Sequence, residues 1–244
     1  DFASVLTNGH DTILTANHLG NVIGHESLSM PSTLPSFAPH RLGLIAEWAQ
    51  GGKLAVVLNR TGEILLLRDK RLVFARRSGI WHFLTPDAVI TQLGRPANRE
   101  VRVAVLETAI DVSFARSGGC IGVVLSNHGH QWREIVVHPD DYLDPASSSK
   151  AKVLARSING RKFYELDRRL RQEIVAIDGA TLMDHNGNIL AAGAILKIPG
   201  GSSGGGRLAA AKALSTLGVG VKISQDGGIR CFHDGNAEPK VALM

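Results

Sequence analysis

Apolar residues along this chain follow two different periods. Between Lys53 and Phe83 four short runs, KLAVVLN, ILLLRD, RLVFAR and GIWHF, are separated by turn signals at Asn59-Arg-Thr-Gly62 and near Lys70. Apolar, β-branched-rich runs of that length, punctuated by short turns, predict an antiparallel meander. Upstream, FAPHRLGLIAEWAQ sets Leu42, Ile45, Ala46 and Ala49 at helical spacing, and Gly51-Gly52 closes the helix. Thr85-Pro86-Asp87 is a start signal for a short helix through Gln92. Residues 1–36, with Asn8-Gly9, Pro31 and Pro35, receive no element.

A second pattern begins near Arg99. VRVAVLETAIDVSFA (101–115) reads as a helix that Arg116-Ser-Gly-Gly119 breaks. CIGVVLS is a continuous apolar run of the kind buried on both faces of a sheet. His128 to Pro145 reads as loop, Lys162 to Gln172 as a charged helix, and Ile174 to Ile177 as a strand leading into Asp178-Gly179-Ala180. TLMD, a turn at HNGN and ILAAGAIL predict a hairpin. RLAAAKALSTL (207–217) is a high-propensity helix ended by Gly218. VGVKIS, a turn at QDGG and IRCF form a last hairpin. The expected fold is therefore α/β: a mixed sheet with helices packed on it over 99–244, preceded by a smaller α+β region over 1–98 that contains the meander.

Composition narrows the function classes. With 44% hydrophobic and 20% charged residues in 244, the chain is globular rather than disordered. No run approaches the ~20 apolar residues of a membrane-spanning helix. The opening DFASVLTNGHDTIL lacks the basic start and apolar centre of a secretory signal, so a cytoplasmic location without a membrane partner is expected. Two cysteines, Cys120 and Cys231, exclude a disulfide scaffold and a multi-cysteine zinc module. Aromatic residues are 5%, too few for a base-stacking platform, so no nucleic acid is expected. The basic runs RDKRLVFARR and RKFYELDRRLR read as solvated faces. The net charge of +5 fits anionic ligands without specifying one.

Glycine is the outlier, at 27 residues, and five fall in Pro199-Gly-Gly-Ser-Ser-Gly-Gly-Gly-Arg207. Consecutive glycines let backbone N–H groups converge on an anion, and a helix N-terminus adds favourable partial charge. Arg207 would add a fork of donors for a phosphate. A flexible loop is an equally good reading of the stretch alone. Asp178, at a predicted strand end before Gly179, could hold Mg²⁺ or Mn²⁺ or activate a hydroxyl, although an isolated Asp-Gly is more often a turn. Ser224-Gln225-Asp226 forms a polar hairpin tip. Trp81 reads as core under the small sheet, with a ligand lid or a dimer contact as the alternatives.

The order of these pieces resembles the diadenylate cyclase domain family. SGGCIGVVLS (117–126) is similar to that family's first strand, and AIDGATLMDHNGNILAAGAIL (176–196) to its Asp-Gly-Ala hairpin. GGRLAAAKALSTLG (205–218) is similar to the Arg-His-Arg segment and its helix, and VKISQDGGI (221–229) to the closing strand. The resemblance spans roughly residues 100–235. It implies an ATP-binding α/β domain that works as a homodimer or higher homo-oligomer, with each domain presenting one ATP to the other and forming cyclic di-AMP. It further implies nucleotide contacts at Gly119, Cys120, Ile121, Asp178, Gly179, Ala180, Gly204, Gly205, Gly206, Arg207, Ser224 and Gln225. The base would sit near 119–125. Asp178 would be the catalytic group if the domain is active, and Asp178 with Asp226 would hold Mg²⁺ or Mn²⁺. The chain departs from the pattern where Leu208 and Ala209 stand at the His and second Arg positions and Gln225 at the acidic one. Losing one preorganised donor commonly costs about 2.7–4 kcal/mol of barrier. The implied function is a catalytically impaired, nucleotide-binding sensor or regulatory domain. The alternatives are an active cyclase with an altered phosphate grip, or an interaction domain without a ligand.

Overall fold

The computed structural model describes residues 6–29, 37–93, 97–198 and 204–243. The chain divides into two compact units at Thr85/Pro86. In the first, β1 (Thr12–Ala16) and β2 (Val22–Ser27) pair antiparallel. A 3-10 turn at His40–Leu42 leads into α1 (Gly43–Trp48). Then follow β3 (Leu54–Leu58), β4 (Ile64–Arg68), β5 (Arg71–Arg77) and β6 (Ile80–Phe83), the meander that the spacing predicts. Because side chains alternate along a strand, Ala55, Leu65, Leu67, Leu72 and Ala75 share one buried face, and α1 lies against β3 and β4. Arg77, inside a run expected to be a solvated face, is instead buried and pairs with buried Glu63 at 2.7 Å.

The second unit starts a helix earlier than residue 99. α2 (Pro86–Gln92) packs on α3 (Arg99–Ala115), where Arg102 donates through Nη1 to the Ile90 carbonyl at 3.0 Å. β7 (Gly119–Val124) is buried along its whole length. The stretch expected to be loop over 128–145 contains a 3-10 turn, Ser126–His128, at its start, then α4 (Trp132–Ile135) and a second such turn, Pro139–Asp141. Trp132 holds that segment down, its ring edge-on to Tyr142 at 4.8 Å. Next come α5 (Ser149–Ile158), α6 (Arg168–Ala176), β8 (Ala180–Asp184), β9 (Ile189–Ala194), α7 (Gly206–Ser215), β10 (Gly218–Ile223), β11 (Ile229–His233) and β12 (Val241–Leu243).

Two expectations are corrected here. Residues 174–177 are not a strand: Ile174 to Ala176 complete α6. Nor does a helix run through 162–172. A 3-10 turn, Phe163–Glu165, precedes extended Leu166, and Asp167 caps α6 by accepting from Arg169 N at 2.8 Å.

The six-stranded sheet runs β12-β11-β10-β7-β8-β9, antiparallel except for the parallel pair β7-β8. Its glycines show how the helices lie. A Cβ at Gly119 would strike Val175 of α6 and approach Val112 of α3, whereas one at Gly122 would strike Leu214 of α7. Positions three apart on a strand face opposite sides, so α3 and α6 cover one face and α7 the other. Gly220 pairs with Gly122 across the strands, and a Cβ on it would lie 1.8 Å from the Ala211 carbonyl oxygen. The two glycines let the α7 backbone rest directly on the sheet.

Arg168 and Arg171, in the second run expected to face solvent, are directed into the α3–α6 interface. Arg171 donates through Nη2 to Glu107 Oε2 at 2.9 Å, and Arg168 grips Asp111. The apolar periodicity of α3 therefore carries two buried carboxylates, matched by the two arginines of α6.

Candidate functional site

The N-terminus of α7 and the turn after β10 border an open cleft of about 400 Å³, lined by Gly204, Gly205, Gly206, Arg207, Leu208, Lys222, Ser224, Gln225 and Asp226. Gly204 and Gly205 have φ of +92° and +94°, a region that L side chains rarely adopt. Gly205 is the cap residue and offers no side chain to the helix end. The amides of Leu208 and Ala209 bond back to the Gly205 carbonyl at 3.1 and 3.2 Å. The amides of Gly206 and Arg207, the first of the helix, have no intrahelical acceptor, and among the described residues they bond to none.

Arg207 is half-buried and lies over Gly118, where a Cβ would come 2.6 Å from Nη1. Lys222 sits on β10 opposite Cys120. Among the described residues neither cation makes an ion pair or a hydrogen bond. Lys222 is the site residue that the sequence did not reveal. Inside a strand with buried neighbours it carries no motif, and it reaches the cleft because α7 packs on the face of β10 that Lys222 shares with Gly220.

The opposite wall is fixed to α3. Ser113 Oγ donates to the Gly227 carbonyl at 2.5 Å, and Arg116 Nη1 donates to the Asp226 carbonyl. Ser224 and Gly228 close the turn, with Ser224 N donating to Gly228 O at 2.8 Å.

Of the residues that the resemblance implies, Gly204 to Arg207 and Ser224, Gln225 and Asp226 come together in this cleft. Gly200 and Gly201 lie outside the described residues. Gly119, Cys120 and Ile121 do not line it: all three are buried within β7. Burial pushes the Cys120 thiol up to about 12 against the opposing influence of Arg207, so it stays protonated and unreactive. Asp178, Gly179 and Ala180 stand at the same end of the sheet, because parallel pairing aligns the start of β8 with the start of β7 and the end of β10. They are not among the cleft-lining residues. Asp178 is exposed and its Oδ1 accepts from Gly179 N at 3.2 Å. Gly179, at φ +107°, passes so close to β9 that a Cβ would lie 2.5 Å from the Gly193 carbonyl carbon. Asp226 supplies one carboxylate to the wall, and its Oδ1 accepts from Gly228 N at 3.3 Å. No group of three metal-ligating side chains occurs among the described residues. Among the described residues the cleft thus offers Mg²⁺ or Mn²⁺ one carboxylate, Asp226.

No family model matches the chain. No curated protein matches it either. Among solved structures, it is similar to a double cysteine mutant of DacA from Staphylococcus aureus, with 17% identity and a TM-score of 0.37 over 57% of this chain and 84% of that one. It is also similar to a protein described as a hypothetical membrane-spanning protein from Bacillus cereus, with 16% identity and a TM-score of 0.39 over 60% and 69%. In this chain no described helix is long and apolar enough to cross a membrane.

Proposed function

We propose that the second unit binds a phosphate-bearing purine nucleotide or cyclic dinucleotide and serves as a sensor or regulatory domain. The observation that carries this reading is the pair Arg207 and Lys222, without acidic partners among the described residues, beside a helix N-terminus built of glycine. Two cations and free amides on one cleft form an anion site. A volume of about 400 Å³ is within the usual range for small-ligand pockets. The order of the Asp-Gly-Ala hairpin, the glycine stretch and the closing strand, which resembles the diadenylate cyclase domain, favours a nucleotide over inorganic phosphate. Leu208 and Ala209, where that family has cationic or polar groups, favour binding over turnover.

Calorimetry with ATP and cyclic di-AMP, with and without Mg²⁺, tests the proposal. Saturable binding that Arg207→Ala weakens is expected, and no heat from either ligand overturns it.

Asp226 on the cleft wall favours a second reading, residual nucleotidyl transfer with that carboxylate beside the metal. Chromatography after incubation with ATP and Mn²⁺ decides it: a cyclic dinucleotide and pyrophosphate support turnover, and unchanged ATP eliminates it.

A further inference from the structure

The meander of the first unit has a second face that α1 does not cover. Six of the thirteen exposed large apolar side chains among the described residues lie on it, with Val56 65%, Trp81 51% and Phe83 59% exposed. Strand register sets the side chains of this face in three rows. The central row, Val56, Leu66, Phe74 and Phe83, is apolar throughout. On one side of it lies the row Leu54, Arg68 and Arg71, and on the other the row Leu58, Ile64, Arg76 and Trp81. The rings meet, Phe74 to Phe83 at 5.0 Å and Phe74 to Trp81 at 6.5 Å edge-on. No Asp, Glu or Lys occupies a position in these rows. Asp69, in the turn between β4 and β5, reaches Arg68 Nε at 3.5 Å, with both side chains exposed.

Charge and apolar surface on this face select the same partner. Three arginines with no carboxylate in the rows call for an anionic surface, and a second copy of the face would set arginine near arginine instead. Eight of the eleven side chains in the rows are apolar, and five of those eight are aliphatic. Aliphatic groups give a nucleobase no ring to stack on, and an acidic polypeptide has little apolar surface to set against them. A bilayer of anionic phospholipid supplies both halves of the match, acyl chains for the central row and phosphates for the arginines that flank it. Arginine keeps its stem on apolar surface while its head stays in the polar layer. Tryptophan is enriched at that boundary.

We propose that this face seats the first unit on an anionic phospholipid surface, with Phe74, Trp81 and Phe83 among the outer acyl segments and Arg68, Arg71 and Arg76 on the headgroup phosphates. Such a contact involves one leaflet and needs no spanning helix. The lack of a spanning apolar run, from which no membrane partner is expected, has no bearing on side chains that only strand register brings together. Each basic residue held near an anionic surface adds about fivefold in affinity, so three add about a hundredfold, and salt screens the effect. The seat lies in the first unit and does not rest on what the cleft binds.

Co-sedimentation of the full chain with vesicles of phosphatidylcholine and phosphatidylglycerol in equal parts tests the proposal, beside vesicles of phosphatidylcholine alone. Saturable binding to the anionic vesicles is expected, about a hundredfold weaker to the neutral ones and weakened by a similar factor in R68Q/R71Q/R76Q. The W81E/F83E variant is expected to lose binding, and Val153→Glu, at an exposed apolar residue of α5, to keep it. No binding to anionic vesicles overturns the proposal. Equal binding to both vesicle types overturns it as well, and so does binding that persists in a folded W81E/F83E variant. A single-stranded oligonucleotide or poly-glutamate that binds where vesicles do not assigns the face to another polyanion and also overturns it. If W81E/F83E misfolds, the wild-type protein gives the answer through the Trp81 emission, isolated by subtracting the Trp81→Phe spectrum. A blue shift on adding anionic vesicles supports the seat, and an unchanged spectrum overturns it.

Discussion

Arg168 and Asp111 meet through two parallel hydrogen bonds, Nε to Oδ2 at 2.9 Å and Nη2 to Oδ1 at 2.8 Å, across the α3–α6 interface. Planar, two-point pairing of this kind fixes the rotation of each helix about its axis as well as their separation. Asp111 is 3% exposed, so its charge has exchanged water for this guanidinium. Removing the carboxylate in Asp111→Ala leaves Arg168 without its two-point acceptor, and breaking such a buried pair is strongly destabilising, by about 3–5 kcal/mol. Urea denaturation should show a lower midpoint with an unchanged slope.

Gly179 and Asp178 separate structure from chemistry at adjacent positions. Gly179→Ala would press a methyl group onto the Gly193 backbone at φ +107° and should lower the melting temperature distinctly. Asp178→Asn, at an exposed side chain, should leave stability within about 0.5 kcal/mol of wild type. Thermal denaturation of the two variants side by side checks this.

Arg207→Ala and Lys222→Ala should each weaken ATP binding about tenfold or more, because a hydrogen bond involving a charged group contributes about 1.5–3 kcal/mol. Neither cation holds a structural partner among the described residues, so melting temperatures without ligand should change little. Titration calorimetry and a melting curve on each variant separate the two effects.

The thiols Cys120 and Cys231 are both pushed up to about 12 by burial, from an ordinary value of 9.0. Between pH 9 and 12 the unfolded chain loses these protons while the folded one keeps them. Stability is therefore retained below pH 9 and declines as pH rises through that window. Denaturant midpoints measured across the alkaline range should fall with pH, and less steeply in a Cys120→Ala/Cys231→Ala variant. At neutral pH a thiol reagent should modify neither cysteine until the chain unfolds.

What was readable in the sequence follows from the range of the forces involved. The meander and the helix over 99–115 were legible because apolar spacing and turn residues are local. The run Ile174-Val-Ala-Ile177 has strand composition but is the end of a helix, since the Asp167 cap and the packing of Ile174 with Ala151, Ile158, Leu166 and Ala192 override propensity. α5 gives no clear signal in the sequence although Ser148 caps it through Ala151 N at 3.1 Å, because half of its ten residues are polar and only Ala151 and Ile158 are buried. Arg77, Arg168 and Arg171 read as surface charges in the sequence because their acidic partners lie 14 to 64 residues away in the chain. Trp81, expected in the core, projects from the uncovered face because its strand parity matches Phe83 and not buried Ala75. At the cleft the glycines and Arg207 form a local motif, whereas the place of Lys222 depends on the packing of α7 on β10.

The two walls of the cleft differ in how they can change. From Gly204 to Gly206 the contact surface is main chain, which no ordinary substitution rewrites without forcing the backbone from φ values near +90° at Gly204 and Gly205. Lys222, Ser224, Gln225 and Asp226 present side chains on a frame anchored by carbonyl bonds from Ser113 and Arg116. If the cleft binds a nucleotide as proposed, discrimination between one ligand and another would reside on the strand side. Exchanging those four side chains would then change ligand preference, while the glycine side would supply an anion grip common to every ligand.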